Sequence, residues 1–354
     1  MSKVLVIRTS SLGDVAMLVP VLVSVAAKYP QSRFTILTRA AFAPLFQNLS
    51  FNISVISIHL TKKHKGILGL LRILFKVVPM RFSHVADEHD VLRSKIIRFF
   101  MMITGRKVRH INKGRTEKEE MISSKKLTPP LESMIDRYMD TFARLGFPAT
   151  MNFSNFFDFK TRDLSIFKPH ITRKEGQWIG VAPFAKHKGK IYPVEKSENI
   201  VRTLSQNEHN KVILLGGKED FNIFEEWRSK YPNVINMAGK LNLEKELLLI
   251  SYMDVVISMD SANMHLASLV NVPVVSIWGA THPSLGFYGY RQNPENAIQI
   301  NDLDCRPCSV FGDKPCIRGD YACLNRISES MVIKKVEKIL KEKEVSLETI
   351  EQTS

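Results

Sequence analysis

One carboxylate stands near the start of the chain, at the point where an apolar segment gives way to small residues. Val4 to Ile7 are four consecutive apolar residues, which fit a strand buried on both faces, and Asp14 follows after a short turn. Apolar residues then recur at helical spacing, so the turn opens a β-α unit. Ligands of open α/β sheets bind just outside the carboxyl ends of the strands. Asp14 is therefore a candidate for chemistry, with a helix N-cap as the alternative interpretation.

A cationic loop in the second half of the chain has a composition that suits phosphate. It follows a strand candidate and contains Lys186, Lys188 and Lys190 around Gly189. Flexible lysines of this kind are able to meet the oxygens of a diphosphate. A solvated surface loop is the alternative for this segment taken alone.

Paired glycines follow another strand candidate in the same half. Gly216 and Gly217 come directly after Val212 to Leu215, and glycines let the backbone approach a ligand closely. Two glycines alone are a weak signal, so this turn only adds to the others.

A third turn, within Ser258 to Ala267, joins a strand to a helix and is rich in polar side chains. Asp260 and Ser261 lie at the turn itself, so backbone N–H groups of the following helix could hold phosphate oxygens. His265 follows in that helix, where a structural role is the alternative. This turn indicates a site for an anionic or hydroxylated ligand.

Short apolar strands alternate with helical segments in both halves of the chain. The strand candidates are Val4 to Ile7, Phe34 to Leu37, Trp178 to Ala182, Val212 to Leu215, Val234 to Met237, Val255 to Ser258 and Val274 to Trp278. This alternation predicts an α/β fold with doubly wound parallel sheets. A cleft between two such halves is a usual place for a ligand.

The length of 354 residues is enough for two domains, each with its own core. Hydrophobic residues make up 44% and charged residues 24%, a composition that excludes disordered and fibrous classes. A predicted helix over 131–145 stops at Gly146. We predict an N-terminal Rossmann-like domain over 1–165, a C-terminal one over 166–330, and a final helix and tail over 331–354.

The net charge of +15 implies an anionic partner, which could be nucleic acid, an acidic membrane surface or a phosphorylated substrate. Lys62, Lys63 and Lys65 cluster in a segment, 59–83, that holds six Lys or Arg residues and no acid. Residues 67–78 then resemble a basic amphipathic helix suited to a bilayer boundary. A core-packed helix with two snorkelling cations is the alternative.

Neither export nor a membrane span is predicted. The apolar run before Arg8 is too short for the core of a signal peptide. The longest apolar segment, Ile67 to Met80, contains two cations and is shorter than the roughly 20 residues that a spanning helix needs.

All four cysteines lie in one short stretch and include a Cys-x-x-Cys: Cys305, Cys308, Cys316 and Cys323. Such spacing raises the prospect of a zinc site, but the later gaps match no common zinc-finger pattern. A compact loop with buried thiols, open to disulfide formation on oxidation, is the alternative.

Together these motifs resemble the bacterial ADP-heptose:lipopolysaccharide heptosyltransferases, which form glycosyltransferase family 9. The resemblance covers most of the chain, and the motifs follow one another in the family's order. It rests on Arg8-Thr-Ser-Ser-Leu-Gly-Asp14, Asp87 to Ser94, Lys190-Ile-Tyr-Pro193, Asp260-Ser-Ala-Asn-Met-His-Leu266 and the cysteine loop. It implies a GT-B fold, with two facing Rossmann-like domains and a central cleft, and inverting transfer of a sugar from a nucleotide diphosphate.

The resemblance also implies roles for single residues. Asp14 matches the general base and Lys190 the lysine on the donor phosphate, while the N-terminal domain resembles the acceptor domain and the C-terminal domain the nucleotide-sugar domain. The donor-binding candidates are Ser11, Gly13, Ala185, Lys186, Gly216, Gly217, Asp260, Ser261, Ala262, Asn263, Met264 and His265. In the half that resembles the acceptor domain, the acceptor-binding candidates are the clustered lysines Lys62, Lys63 and Lys65, chosen for their charge, together with Arg93 and Arg115.

The implied substrates are a nucleotide sugar, ADP-heptose in the best-known members, and an anionic lipid-linked saccharide at the inner face of the cytoplasmic membrane. We expect neither a metal nor a cofactor. A carboxylate can take the hydroxyl proton, and a lysine with a helix N-terminus can stabilise the leaving diphosphate. Asp302 and Asp304 form an Asp-x-Asp, the pattern of metal-dependent transferases, but they abut the cysteine loop and are interpreted as incidental.

Three alternatives stay open at this point. Ser261-Ala-Asn263 stands where many family members have Thr-Gly or Ser-Gly-Pro, so the donor could be a different nucleotide sugar. A non-catalytic nucleic-acid-binding protein would fit the charge, but the chain has no recognised reading motif. An NAD-dependent oxidoreductase would fit two Rossmann-like halves, but Gly-x-Gly-x-x-Gly is missing after the first strand. We therefore expect a transferase with no nucleic-acid partner.

Overall fold

A computed structural model describes residues 1–158, 160–168, 170–171 and 173–353, the last eight of these by their backbone only. The chain divides into two compact units. Unit 1 consists of residues 1–115 and 132–160, and unit 2 of residues 116–131 and 161–354. Each unit has its own parallel sheet, so the predicted α/β architecture is confirmed.

Unit 1 is built on a five-stranded parallel sheet with the order β3-β2-β1-β4-β5. Its strands are β1 Lys3–Ile7, β2 Arg33–Arg39, β3 Ile53–Ile58, β4 His84–Asp87 and β5 Lys107–His110. Its helices are α1 Leu12–Lys28, α2 Gly66–Val77, α3 Leu92–Ile103 and α5 Met134–Leu145, while α4 Arg115–Ser124 begins at its edge and continues into unit 2. The buried apolar run of β1 lies at the centre of the sheet, as a strand covered on both faces must.

The strand order fixes the faces on which the helices of unit 1 pack. β2 and β3 lie on one side of β1, and β4 and β5 lie on the other. Because crossovers between parallel strands are right-handed, α1 covers one face and α2 and α3 cover the opposite face together. One hydrophobic core accordingly joins Ile7 of β1 to Ile73 of α2 and Ile97 of α3.

Helix α2 confirms the helix predicted over residues 67–78, with bounds shifted by one residue. Its apolar residues do not all enter the core, because Ile73, Leu74 and Val77 are buried whereas Ile67 and Phe75 are exposed. The interpretation of this segment as a core-packed helix is therefore wrong for its outer side. No helix in the described part of the chain is both long and apolar enough to cross a bilayer.

Helix α5 begins later than predicted and ends where predicted. The Ser133 hydroxyl accepts a hydrogen bond from the backbone N–H of Asp136, 3.1 Å away, which starts the helix after the residues 131–133. Gly146 ends it with a φ of +104°, a left-handed conformation that glycine adopts without strain.

Unit 2 is built on a six-stranded parallel sheet with the order β11-β10-β9-β6-β7-β8. Its strands are β6 Gln177–Ala182, β7 Asn210–Leu214, β8 Val234–Asn236, β9 Val255–Met259, β10 Val274–Ile277 and β11 Ala297–Ile298. Its helices are α6 Val194–Ser205, α7 Phe221–Lys230, α8 Leu243–Ile250, α9 Ala262–Leu269, α10 Ala322–Asn325 and α11 Glu329–Thr353. All five strand candidates of the second half are confirmed within two residues at their ends.

The C-terminal helix α11 belongs to the core of unit 2. Val332, Val336 and Leu340 recur at helical spacing and are buried in the same hydrophobic cluster as Val255 of β9. The helix is therefore an integral part of this unit.

Candidate functional site

The carboxylate of Asp14 lies in the first turn of α1, directly after β1. Its Oδ2 accepts hydrogen bonds from the Ser11 hydroxyl at 2.8 Å and from the Ser11 backbone N–H at 3.2 Å. The same oxygen lies 2.5 Å from Nη2 of Arg8. The Asp14 side chain remains 19% exposed, while Arg8 is 3% exposed. Asp14 is thus held as an oriented carboxylate that still reaches solvent, in a turn that also contains Gly13.

Arg8 fixes this turn to the rest of unit 1. Its Nη1 donates to the backbone carbonyl of Glu88, 2.5 Å away, and its guanidinium lies 5.9 Å from the centre of the Tyr138 ring. The Tyr138 hydroxyl in turn donates to the carbonyl of Asp14 at 3.2 Å. Burial raises the pKa of Tyr138, so this hydroxyl keeps its proton and acts as a donor. The loop after β1, the loop after β4 and α5 are therefore locked together.

His89 holds the same turn from the other side. Its Nδ1 lies 3.1 Å from the Thr9 hydroxyl and its Nε2 lies 2.9 Å from the Ser10 hydroxyl. Burial, reinforced by the positive charge of Arg8, lowers the pKa of His89 to about 3. The ring is accordingly neutral over the physiological range, and one nitrogen donates while the other accepts.

An ion-pair network supports the loop that carries His89. Asp87 Oδ1 accepts from the backbone N–H groups of His89 and Asp90, each at 3.0 Å, and its Oδ2 lies 3.1 Å from Arg98. Asp90 lies 2.9 Å from Arg98 and 3.2 Å from Arg115. Arg115, an acceptor-binding candidate, is therefore tied to the loop beside the Asp14 turn.

Two further titratable groups lie near this turn. The carboxyl of Glu88 is fully buried, and this burial together with the charge of Asp87 raises its pKa well above the ordinary value. Lys113 is half-buried, and burial with the charges of Arg8 and Arg115 lowers its pKa to about 8. Glu88, His89 and Lys113 were not among the candidates, because no local pattern marks residues that approach the Asp14 turn only through the fold.

The remaining acceptor-binding candidates lie in two other segments of unit 1. Lys62, Lys63 and Lys65 are exposed in the turn before α2, where the carbonyl of Lys63 accepts a hydrogen bond from Arg72 at 2.8 Å. Arg93 is half-buried in the first turn of α3. The lysines form a surface patch, while Arg8, Asp14 and His89 form a preorganised cluster.

In unit 2, the structure brings Lys190 and Asp260 together. Nζ of Lys190 lies 2.7 Å from Oδ2 of Asp260, and the Thr281 hydroxyl donates to the same oxygen at 2.7 Å. Gly189 places the lysine, because a Cβ at this glycine would come within 2.8 Å of Ala280. Two of the three turns selected from the sequence therefore converge at the carboxyl ends of β6 and β9.

A buried arginine orders the loop that carries Thr281. Arg306 is buried and donates to the carbonyls of Gly279 at 2.7 Å, Thr281 at 2.8 Å and Ile300 at 2.7 Å. Its guanidinium thus satisfies backbone acceptors in the segments that follow β10 and β11. Arg306 and Thr281 were not among the candidates, because a buried arginine inside a cysteine-rich loop has no distinctive sequence signal.

The turn before α9 presents its first residues to solvent. Ser261, Ala262 and Asn263 are half-buried, whereas Met264 and His265 are buried. The Ser261 hydroxyl lies 3.1 Å from that of Ser258. The first N–H groups of a helix have no partner within it, so this turn offers hydrogen-bond donors beside Lys190 and Asp260.

The other donor-binding candidates of unit 2 lie in the loops after β7 and β6. The Gly217 N–H already donates to Oδ2 of Asp220 at 2.7 Å, and the Gly216 carbonyl accepts from Gly239 at 3.0 Å. Ala185 is half-buried and Lys186 is exposed in the loop after β6.

The cysteine loop contains free thiols. Cys308 donates to the carbonyl of Cys305 at 3.1 Å, and burial raises the pKa of Cys323 to about 11. Within the described residues, no group of three or more His, Cys, Asp or Glu side chains has an arrangement that could hold a metal ion.

Comparisons with known proteins agree on one family. The model of glycosyltransferase family 9 (heptosyltransferase) matches residues 79–314, which is more than half of the chain. Lipooligosaccharide heptosyltransferase 2 of Campylobacter jejuni serotype O:2 is 24% identical over 345 residues, covering 96% of this chain and 98% of that protein.

Solved structures show the same fold. A family 9 glycosyl transferase of Veillonella parvula has a TM-score of 0.73 and 18% identity, covering 96% of this chain and 98% of that one. The ADP-heptose lps heptosyltransferase II of E. coli has a TM-score of 0.65 and 17% identity, covering 97% and 99%. The predicted GT-B fold is thereby confirmed.

The low pKa of His89 predicts a dependence of stability on pH. Between about pH 6.5 and pH 3 the unfolded chain binds a proton at this histidine that the folded ring excludes. The free energy of unfolding should therefore fall on acidification, by about 1.4 kcal/mol per pH unit from this group alone. Urea unfolding at a series of pH values gives the free energy of unfolding as a function of pH. This free energy should fall less steeply on acidification for His89→Gln than for the parent, whereas His209→Gln, at an exposed position, should match the parent. Equal pH dependence in the two variants would contradict the lowered pKa of His89.

Proposed function

Because the chain belongs to glycosyltransferase family 9, the heptosyltransferase family, we propose that it is an inverting transferase that moves a heptose from ADP-heptose onto a lipopolysaccharide core or a related lipid-linked saccharide. The observation that carries the proposal is the pairing of Lys190 with Asp260 at the carboxyl ends of two strands in unit 2. The names of the E. coli and C. jejuni proteins supply the sugar donor and the class of acceptor.

Asp14 is the general base of the proposed reaction. A sugar hydroxyl is a poor nucleophile until its proton is removed as the new bond forms, and one positioned carboxylate does this. Arg8 and Ser11 bind the same oxygen of Asp14 and so fix the direction in which the carboxylate points. His89 and Tyr138 hold the turn around it, which makes them positioning residues.

Lys190 and the first turn of α9 bind the diphosphate of the donor. The diphosphate gains negative charge as the sugar leaves, so a lysine and helix N–H groups stabilise the transition state more than the ground state. Ser261 to Asn263 are the accessible residues of that turn, and Ala185, Lys186, Gly216 and Gly217 complete the proposed donor site of unit 2. We assign Ser11 and Gly13 of unit 1 to the donor on the resemblance alone.

The acceptor side of the proposal uses the cations of unit 1. Lys62, Lys63 and Lys65 are exposed and so are available to carboxylate or phosphate groups of an acidic saccharide. Arg115, which binds Asp90 in the loop after β4, and Arg93 complete the proposed acceptor site. Because the proposed acceptor has a lipid anchor, we propose that the enzyme works in the cytoplasm, peripherally on the anionic inner face of the membrane. We propose no nucleic-acid partner. Neither a metal nor a cofactor takes part, so transfer should persist in EDTA.

Thermal-shift measurements with a panel of nucleotide diphosphates test the donor class. A ligand that binds the folded state raises the midpoint of unfolding by mass action. ADP should stabilise the protein more than UDP or GDP, and transfer from ADP-heptose should follow. Stabilisation by another nucleotide with none by ADP would assign a different sugar donor, in keeping with the unusual Ser261-Ala-Asn263 turn.

The first variant to test is Asp14→Asn. Turnover should fall by about 10²-fold or more, because an amide cannot accept the hydroxyl proton, while ADP binding stays close to normal. Asp140→Asn, at an exposed position of α5 in the same unit, is the matched control. Near-normal turnover of Asp14→Asn would remove this carboxylate from the mechanism.

Lys190→Ala should weaken ADP binding and lower turnover by about 10²- to 10³-fold, the range seen when one donor to a developing charge is removed. Asp260 would be left buried without its ion-pair partner, so this variant should also lose stability. The double variant Lys190→Ala/Asp260→Asn should regain stability without regaining turnover, and Lys188→Ala should resemble the parent protein. An unchanged rate and ADP affinity in Lys190→Ala would contradict the assignment.

Replacement of Lys62, Lys63 and Lys65 together by Gln should raise the KM for the acceptor and weaken binding to anionic vesicles. ADP affinity should stay the same, since none of the three lysines belongs to unit 2. The matched control removes three exposed lysines of α11, Lys334, Lys338 and Lys341, and so changes the net charge equally. If the two triple variants have the same acceptor KM and the same vesicle binding, Lys62, Lys63 and Lys65 contribute only to solubility.

A further inference from the structure

Helices α2 and α3 expose apolar side chains on the same side of unit 1. Both helices pack on one face of the sheet through a shared core. Their outer sides therefore point away from that face together. Ten of the large hydrophobic side chains that are exposed lie between residues 67 and 103.

On α2 the exposed residues form one stripe. Ile67, Leu71 and Phe75 follow each other at intervals of four, and Leu68 lies beside them. Ile67 and Phe75 are each 78% exposed. Arg72 and Lys76 follow the edge of this stripe at the same interval.

On α3 a second stripe runs through Leu92, Phe99 and Ile103, at intervals of seven and four. Leu92 is 77% exposed and Ile103 is 59% exposed. Phe100 packs edge-to-face on Phe99, with ring centres 5.8 Å apart, and widens the stripe. We call the two stripes together the α2–α3 face.

The exposed charges around this face are predominantly positive. Residues 59–86 and 91–116 hold fourteen Lys and Arg residues and no Asp or Glu. The loop between them holds Asp87 and Glu88, which are buried, and Asp90, which is half-buried and lies 3.7 Å from Lys95. Exposed cations at its margins include Lys65, Arg72, Lys76 and Lys95. Monomeric soluble proteins rarely expose a contiguous apolar patch of this kind unless it binds something.

We propose that the α2–α3 face inserts into the surface of a bilayer that contains anionic lipids. Its apolar stripes would enter the boundary of the acyl chains, while the surrounding cations meet lipid phosphates. A second copy of the chain fits less well, because self-pairing would bring two cationic margins together. The inference rests on the proposed function only in that a lipid-linked acceptor gives the face a purpose.

Co-sedimentation with vesicles tests the docking. The vesicles contain phosphatidylglycerol and phosphatidylethanolamine, and the full chain is used. Phe75→Ser/Phe99→Ser removes one ring from each helix and should weaken binding by about tenfold or more, the scale expected for two buried aromatic side chains. Phe51→Ser/Phe311→Ser removes two exposed rings outside α2 and α3 and should bind as the parent protein does.

A tryptophan reporter locates the contact. Phe75→Trp and Phe99→Trp should each show a blue-shifted emission with anionic vesicles and little shift with phosphatidylcholine alone. The three native tryptophans are buried, so they contribute a constant background. Phe51→Trp should show no shift.

The failures of docking and of the proposed function are separable. Equal vesicle binding by the parent and Phe75→Ser/Phe99→Ser overturns the docking, whatever ADP does in the thermal-shift assay. The docking is also overturned if the parent protein does not bind vesicles but sediments as a dimer, and Phe75→Ser/Phe99→Ser sediments as a monomer. That result would show that a second copy of the chain covers the α2–α3 face. Vesicle binding that depends on Phe75 and Phe99, without any transfer from ADP-heptose, keeps the docking and overturns the proposed function.

Discussion

Burial of the Arg8 guanidinium is the constraint on which the N-terminal site depends. A buried cation is costly unless a counter-charge and hydrogen bonds compensate it. Both terminal nitrogens of Arg8 have such partners, whereas its Nε has none in the described part of the chain. Asp14 supplies the charge, Glu88 a backbone carbonyl and Tyr138 an aromatic face. Each partner comes from a different element, so meeting the needs of one side chain fixes the relative positions of three. The orientation of the Asp14 carboxylate is a result of that arrangement.

The sequence was sufficient for features that depend on local periodicity. The apolar run of β1 and the helical spacing after Asp14 predicted the first β-α unit, and the second half yielded its strands in the same way. The end of α5 followed from Gly146, the one residue there that is free to adopt a positive φ. The turn at Asp260 was also found, because a run of polar residues between an apolar strand and a helix is typical of a turn that binds a ligand.

Contacts between residues that are far apart in the chain could not be predicted from the sequence. His89 meets Thr9 across 80 positions, and Thr281 meets Asp260 across 21, so neither contact leaves a local pattern. Strand β4 is four residues long and too short for a periodic signal, and it is recognised only through its register with β1. Residues 116–131 likewise belong to unit 2 through contacts with residues that are distant in the sequence.

If Lys190 binds the donor diphosphate as proposed, its pairing with Asp260 has a consequence for the catalytic cycle. An ammonium group that lies 2.7 Å from a carboxylate is not a vacant anion site. A phosphate that reaches it must exchange with the carboxylate, so the incoming nucleotide gains less than it would from an uncompensated lysine. After transfer of the sugar, the same carboxylate would compete with the product diphosphate for the ammonium group. On the proposed assignment of Lys190, Asp260 would therefore shorten the residence of the spent nucleotide.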